Sequence, residues 1–220
     1  TTPDGGDPVL HPRGFDTLVR CTSTPEYEEW VHEVAGMRIS KRLTLADGAN
    51  ACELRYRVER IDARKSPRRA ALRLRPLVAM HDVHSLLRQS QFAGFTTQVL
   101  PDGLQVQSAS LSLTIHTSAN KQQGVEIKSD AQWWSNFYHR AEADRMQDCV
   151  RDLYSPGEFI ASCAPPDSEA TPLDVTLRVA LTSGSGANAP NSGANARRDR
   201  LSRMASFAAS NVEKDDDRHD

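Results

Sequence analysis

The stretch LDVTLRVAL, residues 173–181, constrains the fold more than any other part of this chain. Leu173, Val175, Leu177, Val179 and Leu181 alternate strictly with Asp174, Thr176, Arg178 and Ala180. That period of two marks a β-strand with one buried face and one wet face. The same rhythm recurs upstream. ELRYRVERI alternates Leu54, Tyr56 and Val58 with Arg55, Arg57 and Glu59, and LSLTIHT carries Leu111, Leu113 and Ile115. AALRLRPLV sets Leu72 and Leu74 against Arg73 and Arg75, and MRISKRLTL follows the pattern more loosely. Asp47-Gly48 and Asp102-Gly103 are hairpin signals, because Gly takes positive φ at little cost and Asp tolerates it. Short strands separated by turns predict an antiparallel sandwich over about residues 27–181 rather than alternating β/α units.

Two stretches break the rhythm. In HDVHSLLRQS, Val83, Leu86 and Leu87 have helical spacing and Asp82 stands where an N-cap would. Met146, Val150 and Leu153 share that spacing, and Pro156-Gly157 stops whatever forms there. After Leu181, SGSGANAPNSGANA is a flexible linker with too little apolar surface to pack. The domain division is therefore a β-sandwich over residues 1–182, a linker over 183–194, an amphipathic helix over 195–213 and an acidic tail over 214–220. Leu201, Met204, Ala208 and Val212 form the stripe of that helix, and such a stripe needs a partner surface.

Polar extensions also account for the hydrophobic fraction of 38% and the mean hydropathy of -0.56. With 27 basic residues against 29 acidic ones, the chain lacks the basic excess that nucleic-acid and membrane-surface proteins rely on. No apolar run reaches the roughly 18 residues of a membrane span, and the first residues resemble no signal peptide. Cys21, Cys52, Cys149 and Cys163 are widely spaced without a CxxC pair, which argues against zinc and favours structural thiols in a reducing compartment. A cytoplasmic location follows as the expectation. The chain begins without Met, which fits a piece of something longer.

The densest chemistry is AQWWSNFYHRAEADRMQDCVRDLYSPGEF, residues 131–159. Glycoside hydrolysis needs two carboxylates roughly 5 to 10 Å apart, and Glu142, Asp144, Asp148, Asp152 and Glu158 are all candidates. Arg140, Arg145 and Arg151 interleave with them, however. Pairing with Arg lowers a carboxylate's pKa, which suits structural pairing and hydroxyl binding better than proton donation. No catalytic residue is therefore assigned. Trp133 and Trp134 are neighbours, so on a strand they face opposite ways, one into the core and one outward. An exposed Trp offers a flat apolar platform for a sugar ring. His81 and His84 flank Asp82, but two ligands without a third make no metal site, and a capped turn is the simpler reading. The basic run at residues 64–69 centres on Pro67 and reads as a solvated loop. No motif for a nucleotide, a dinucleotide or a nucleophilic serine is present, and no cofactor is expected.

Taken in order, these segments resemble the N-terminal domain of bacterial and archaeal-type glycogen debranching enzymes, the amylo-α-1,6-glucosidase family. The resemblance runs through HPRGF at residues 11–15, PEYEEW at 25–30, MRISKRLTLADGANACELRYRV at 37–58, LRLRPLVAMHDVHS at 72–85 and the 131–159 stretch. The last is similar to the family's W-x-x-N-F-x-Y, E-x-x-R-G and E-D-L-x-S-P-G-x-F. The chain departs from the pattern at His81 (usually Arg), Val83 (Tyr), His139 (an aromatic), Met146 (Gly) and Arg151 (Glu). The resemblance implies an antiparallel β-supersandwich of the galactose-mutarotase-like or glucoamylase N-terminal type, preceding a separate (α/α) barrel that holds the catalytic carboxylates. It implies an α-glucan ligand, glycogen or malto-oligosaccharide, with the barrel as intramolecular partner. The residues expected to contact glucan are Trp133, Trp134, Asn136, Glu142, Arg145 and Asp152, with Asp82 and His84 behind them.

Overall fold

The computed structural model describes residues 13–81, 85–91, 94–108, 111–120, 124–163 and 171–183. Asp82, Val83 and His84 lie outside these residues, as do the linker beyond Ser183, the amphipathic stripe and the acidic tail.

Thirteen strands fill the described chain: β1 (Leu18–Ser23), β2 (Glu28–Val34), β3 (Met37–Leu45), β4 (Ala51–Arg60), β5 (Ala71–Leu74), β6 (Thr96–Leu100), β7 (Gly103–Ser108), β8 (Leu111–Ala119), β9 (Val125–Lys128), β10 (Gln132–Tyr138), β11 (Val150–Ser155), β12 (Glu158–Ser162) and β13 (Leu173–Ser183). Eight of them form one antiparallel sheet in the order β1-β2-β3-β4-β13-β8-β7-β6. The strand with the strictest alternation, β13, is central and pairs along its length with β4 and β8.

The sheet's two faces follow from its register. Tyr56, Val175 and Ala119 are cross-strand partners on one face, as are Cys52, Val179 and Ile115. Arg55, Thr176 and Ser118 align on the other, which carries the Arg–Glu ladder Arg20–Glu29–Arg42 at 3.2 and 2.9 Å and the Arg178–Glu53 pair at 3.1 Å. The apolar face is covered by a three-stranded sheet, β5-β12-β9, and by the β10-β11 pair. A single bridge between Val78 and Tyr154 links the loop after β5 to β11. Leu104, Val106, Ile115, Leu173 and Val175 from the large sheet meet Leu74, Tyr154, Phe159 and Ala161 from the smaller layer, all buried. The all-β antiparallel architecture is as the alternation predicts.

Both Asp-Gly pairs sit at hairpin turns, for different reasons. Gly48 has φ +69 with open space around it. Gly103 has no positive φ, but a Cβ there would run into the carbonyl oxygen of Ile115, so the missing side chain lets β7 and β8 approach.

The two helical expectations fail within the described residues. Ser85–Arg88 form no helix; the backbone turns to β11 instead, where Leu87 accepts a hydrogen bond from the Asp152 N–H at 2.7 Å. A short 3-10 turn, Gln89–Gln91, follows. Val150 and Leu153 lie in β11 and Met146 is exposed with φ 57, so their helical spacing is incidental. Strand pairing with β10 outweighs it. The 131–159 stretch is a hairpin, β10 then β11, whose connection contains one helical turn, α1 (Arg140–Ala143).

Candidate functional site

The hairpin of β10 and β11 has two faces with different chemistry. Trp133 points into the core, stacked on Phe95 at 5.6 Å and edge-on to Tyr154 at 5.4 Å. The Tyr154 hydroxyl shares a 2.7 Å hydrogen bond with Thr97 on β6, tying the hairpin to the large sheet. Trp134 faces the other way and is 41% exposed. The opposed orientations follow from adjacent positions on a strand, and they divide the pair into a structural and an available tryptophan.

Asp152 is a positioning residue rather than a surface contact. It is 7% exposed. Its Oδ1 accepts the backbone N–H of Asn136 and its Oδ2 that of Gln89, both at 2.9 Å. Arg88 stands 4.0 Å from Oδ1. Asn136 has φ 64 and sits where the β10–β11 register slips between Trp134 and Phe137. The irregular backbone frees an N–H from the ladder, and the buried carboxylate satisfies it. Asn136 and Asp152 are thus brought together, but in the service of the bulge.

Glu142 and Arg145 lie at the tip of the hairpin connection, 3.6 Å apart, with the Arg side chain 67% exposed. Asp144 pairs with Arg140 at 3.8 Å. The base of the connection is closed by the His139 N–H on the Cys149 carbonyl at 2.7 Å. Burial, and then the neighbouring Arg151 charge, pull the His139 imidazole below its ordinary value. All four cysteines are free thiols. Among the described residues no three His, Cys, Asp or Glu side chains gather as a metal site, and no helix is long and apolar enough to cross a membrane.

Sequence reasoning missed a polar chain beside the hairpin. Glu158, 6% exposed on β12, accepts two hydrogen bonds from Arg73 on β5, at 3.0 and 2.6 Å. Arg75 approaches the same carboxylate at 3.9 Å and binds Asp130 at 2.6 Å. Arg75 also reaches Ser155 at 3.4 Å, and Gln132 reaches Asp130 at 3.4 Å. The signal was the Arg73/Arg75 alternation opposite Leu72 and Leu74, which places both guanidinium groups on the outer side of the smaller layer.

The Arg73 hydrogen bonds, ahead of the other nearby cations, hold Glu158 below the ordinary glutamate value of 4.5. A carboxylate with a depressed native pKa contributes its full stability above the unfolded-state value, and that contribution is lost as pH falls through the native value. In denaturant unfolding across a pH series, the stability gap between wild type and Glu158→Gln is therefore expected to be widest near neutrality. It should shrink below about pH 4.5. A gap that stays constant into acid would assign the loss to packing instead.

Residues 4–170 match the family model described as glycogen debranching enzyme N terminal. The chain belongs to that family. No protein with a curated description matches it. Among solved structures this glycogen debranching enzyme N-terminal domain is similar to a bacterial glucoamylase crystallised in complex with acarbose, at 10% identity and a TM-score of 0.39. The match covers 84% of this chain and spans only 26% of that one.

Proposed function

We propose that this chain is the non-catalytic N-terminal domain of a glycogen debranching-type α-1,6-glucosidase of the cytoplasm. It supports or shapes α-glucan binding by an (α/α) barrel encoded downstream, with residues 195–213 leading toward that barrel. The observation that carries this reading is how four of the five acids of the 131–159 stretch are used. Asp152 caps two backbone N–H groups, Glu158 is clamped by Arg73, and Glu142 and Asp144 pair with Arg145 and Arg140. A glycosidase needs two carboxylates open to the substrate, and the buried Asp152 and Glu158 are already committed to these partners. Family membership supplies the enzyme context, and the outward Trp134 supplies a surface for sugar.

The gene product that includes the sequence encoded beyond Asp220 tests the proposal. It is expected to release glucose from α-1,6 branch points, whereas the 220-residue chain alone releases none. Hydrolysis by the 220-residue chain would refute the non-catalytic assignment. If the gene encodes no barrel, the family fold serves here as a stand-alone carbohydrate-binding or interaction module.

A further inference from the structure

The sequence-derived contact set mixes residues from both faces of the β10–β11 hairpin, and the structure separates them. Trp133 and Asp152 are engaged in the core and in the bulge, and Asn136 gives its backbone N–H to the bulge. What remains outward on β10 is Trp134, and the same face continues backward through Gln132 to Asp130. The register is unbroken from Gln132 to Trp134, so the two side chains project from the same side. At about 3.3 Å per residue their Cα atoms stand roughly 7 Å apart. The 3.4 Å contact from the Gln132 amide nitrogen to the Asp130 Oδ2 shows that Asp130 shares this side.

The polar part of this row is held in place from beneath. Arg75, only 19% exposed, lies against Ser155, the cross-strand partner of Gln132, and grips Asp130 Oδ2 at 2.6 Å. The same Arg75 is anchored toward the buried Glu158 at 3.9 Å, and Glu158 by Arg73. Asp130 is itself 54% exposed. Its Oδ1 and the Gln132 Oε1 take no hydrogen bond from any described residue. Two open acceptors, one of them on a fixed carboxylate, therefore stand beside a flat indole on an exposed strand.

We propose that Trp134, Gln132 and Asp130 form a glucan-contact strip on the outer face of β10, with Arg75 as the residue that positions Asp130. The ligand class is a linear α-glucan segment, a malto-oligosaccharide. Its C–H face covers the indole while hydroxyls of the adjoining sugar donate to Asp130 Oδ1 and Gln132 Oε1. An aromatic platform beside planar polar side chains suits such a ligand, because each sugar presents one apolar face and a rim of donors and acceptors. A phosphate or other anion would meet the Asp130 carboxylate and be repelled. This strip rests on the reading that the domain supports glucan binding, and it shifts the polar contact from the buried Asp152 to Asp130 and Gln132.

Titration of the 220-residue chain with maltoheptaose, followed by calorimetry and tryptophan fluorescence, tests it. Trp134→Ala is expected to weaken binding at least about tenfold, a large share of a shallow site's affinity. Asp130→Ala and Gln132→Ala should each weaken it by about three- to tenfold, the range for one lost hydrogen bond. Unfolding midpoints measured in parallel should stay at the wild-type value for Gln132→Ala and fall for Asp130→Ala, which takes the 2.6 Å partner from Arg75, so the Gln132→Ala arm keeps the test decisive even if the other two variants perturb the fold. Wild-type binding that all three variants retain would overturn the strip and leave the domain's glucan role standing at another surface. Absence of wild-type binding up to about 10 mM ligand would also overturn it; the domain reading is then decided separately by the branch-point hydrolysis of the full gene product.

Discussion

Gly157→Ala is expected to lower the unfolding free energy by about 3 kcal/mol or more, with the denaturant m-value unchanged. Gly157 links β11 to β12 behind the fully buried Pro156, at φ +154. A Cβ built there would overlap the carbonyl oxygen of Lys128 and crowd the Leu104 side chain at 3.2 Å. The obstacle cannot move aside cheaply. Lys128 is the β9 partner of Glu158, so displacing its carbonyl loosens the β9–β12 ladder, and Leu104 is at 0% exposure in the core. Gly48→Ala provides the contrast. Gly48 has positive φ but nothing within 4 Å, so its cost should be the left-handed backbone alone, about 1 kcal/mol. Urea unfolding of the two variants measures both. Equal losses would mean that the close approach between Gly157 and β9 contributes nothing.

Asp152→Ala should cost about 1–3 kcal/mol, since it removes a charged acceptor from two backbone N–H groups at once. The donors are those of Asn136 and Gln89, each 2.9 Å from a different oxygen of the carboxylate. Asp152→Asn keeps one acceptor and should recover part of the loss. The same variants separate a structural from a binding role. A stability loss with maltoheptaose affinity retained in the folded fraction is the expected pair of results. Normal stability with lost affinity would return Asp152 to the glucan contacts that the family resemblance first suggested.

How much of this was legible in advance depended on the range of the interaction. The alternation in residues 54–58, 111–115 and 173–181 reports a local period, and each run is a strand in the structure. The opposed tryptophans were also readable, because adjacent residues on any strand diverge. The helical spacing of Met146, Val150 and Leu153 misled because three apolar residues fit more than one period, and a cross-strand ladder with β10 decided between them. The role of Asp152 was hidden for a related reason. Its partners are two backbone groups from other segments, one of them exposed to it only by a bulge, and a backbone N–H leaves no mark in the residue type.

The sequence by itself determined that the chain is an antiparallel β protein, that one of the two tryptophans faces outward, and, through the order of its motifs, to which family it belongs. These are matters of local periodicity and residue identity. Only the tertiary structure decided which acids are already engaged and which polar groups remain open. Asp152 and Glu158 look no different from Asp130 along the chain. Their difference comes from burial and from partners on other strands: Gln89, Asn136 and Arg73 in two cases, and Arg75 on one oxygen alone in the third. Long-range contacts of that kind set which side chains stay open to solvent.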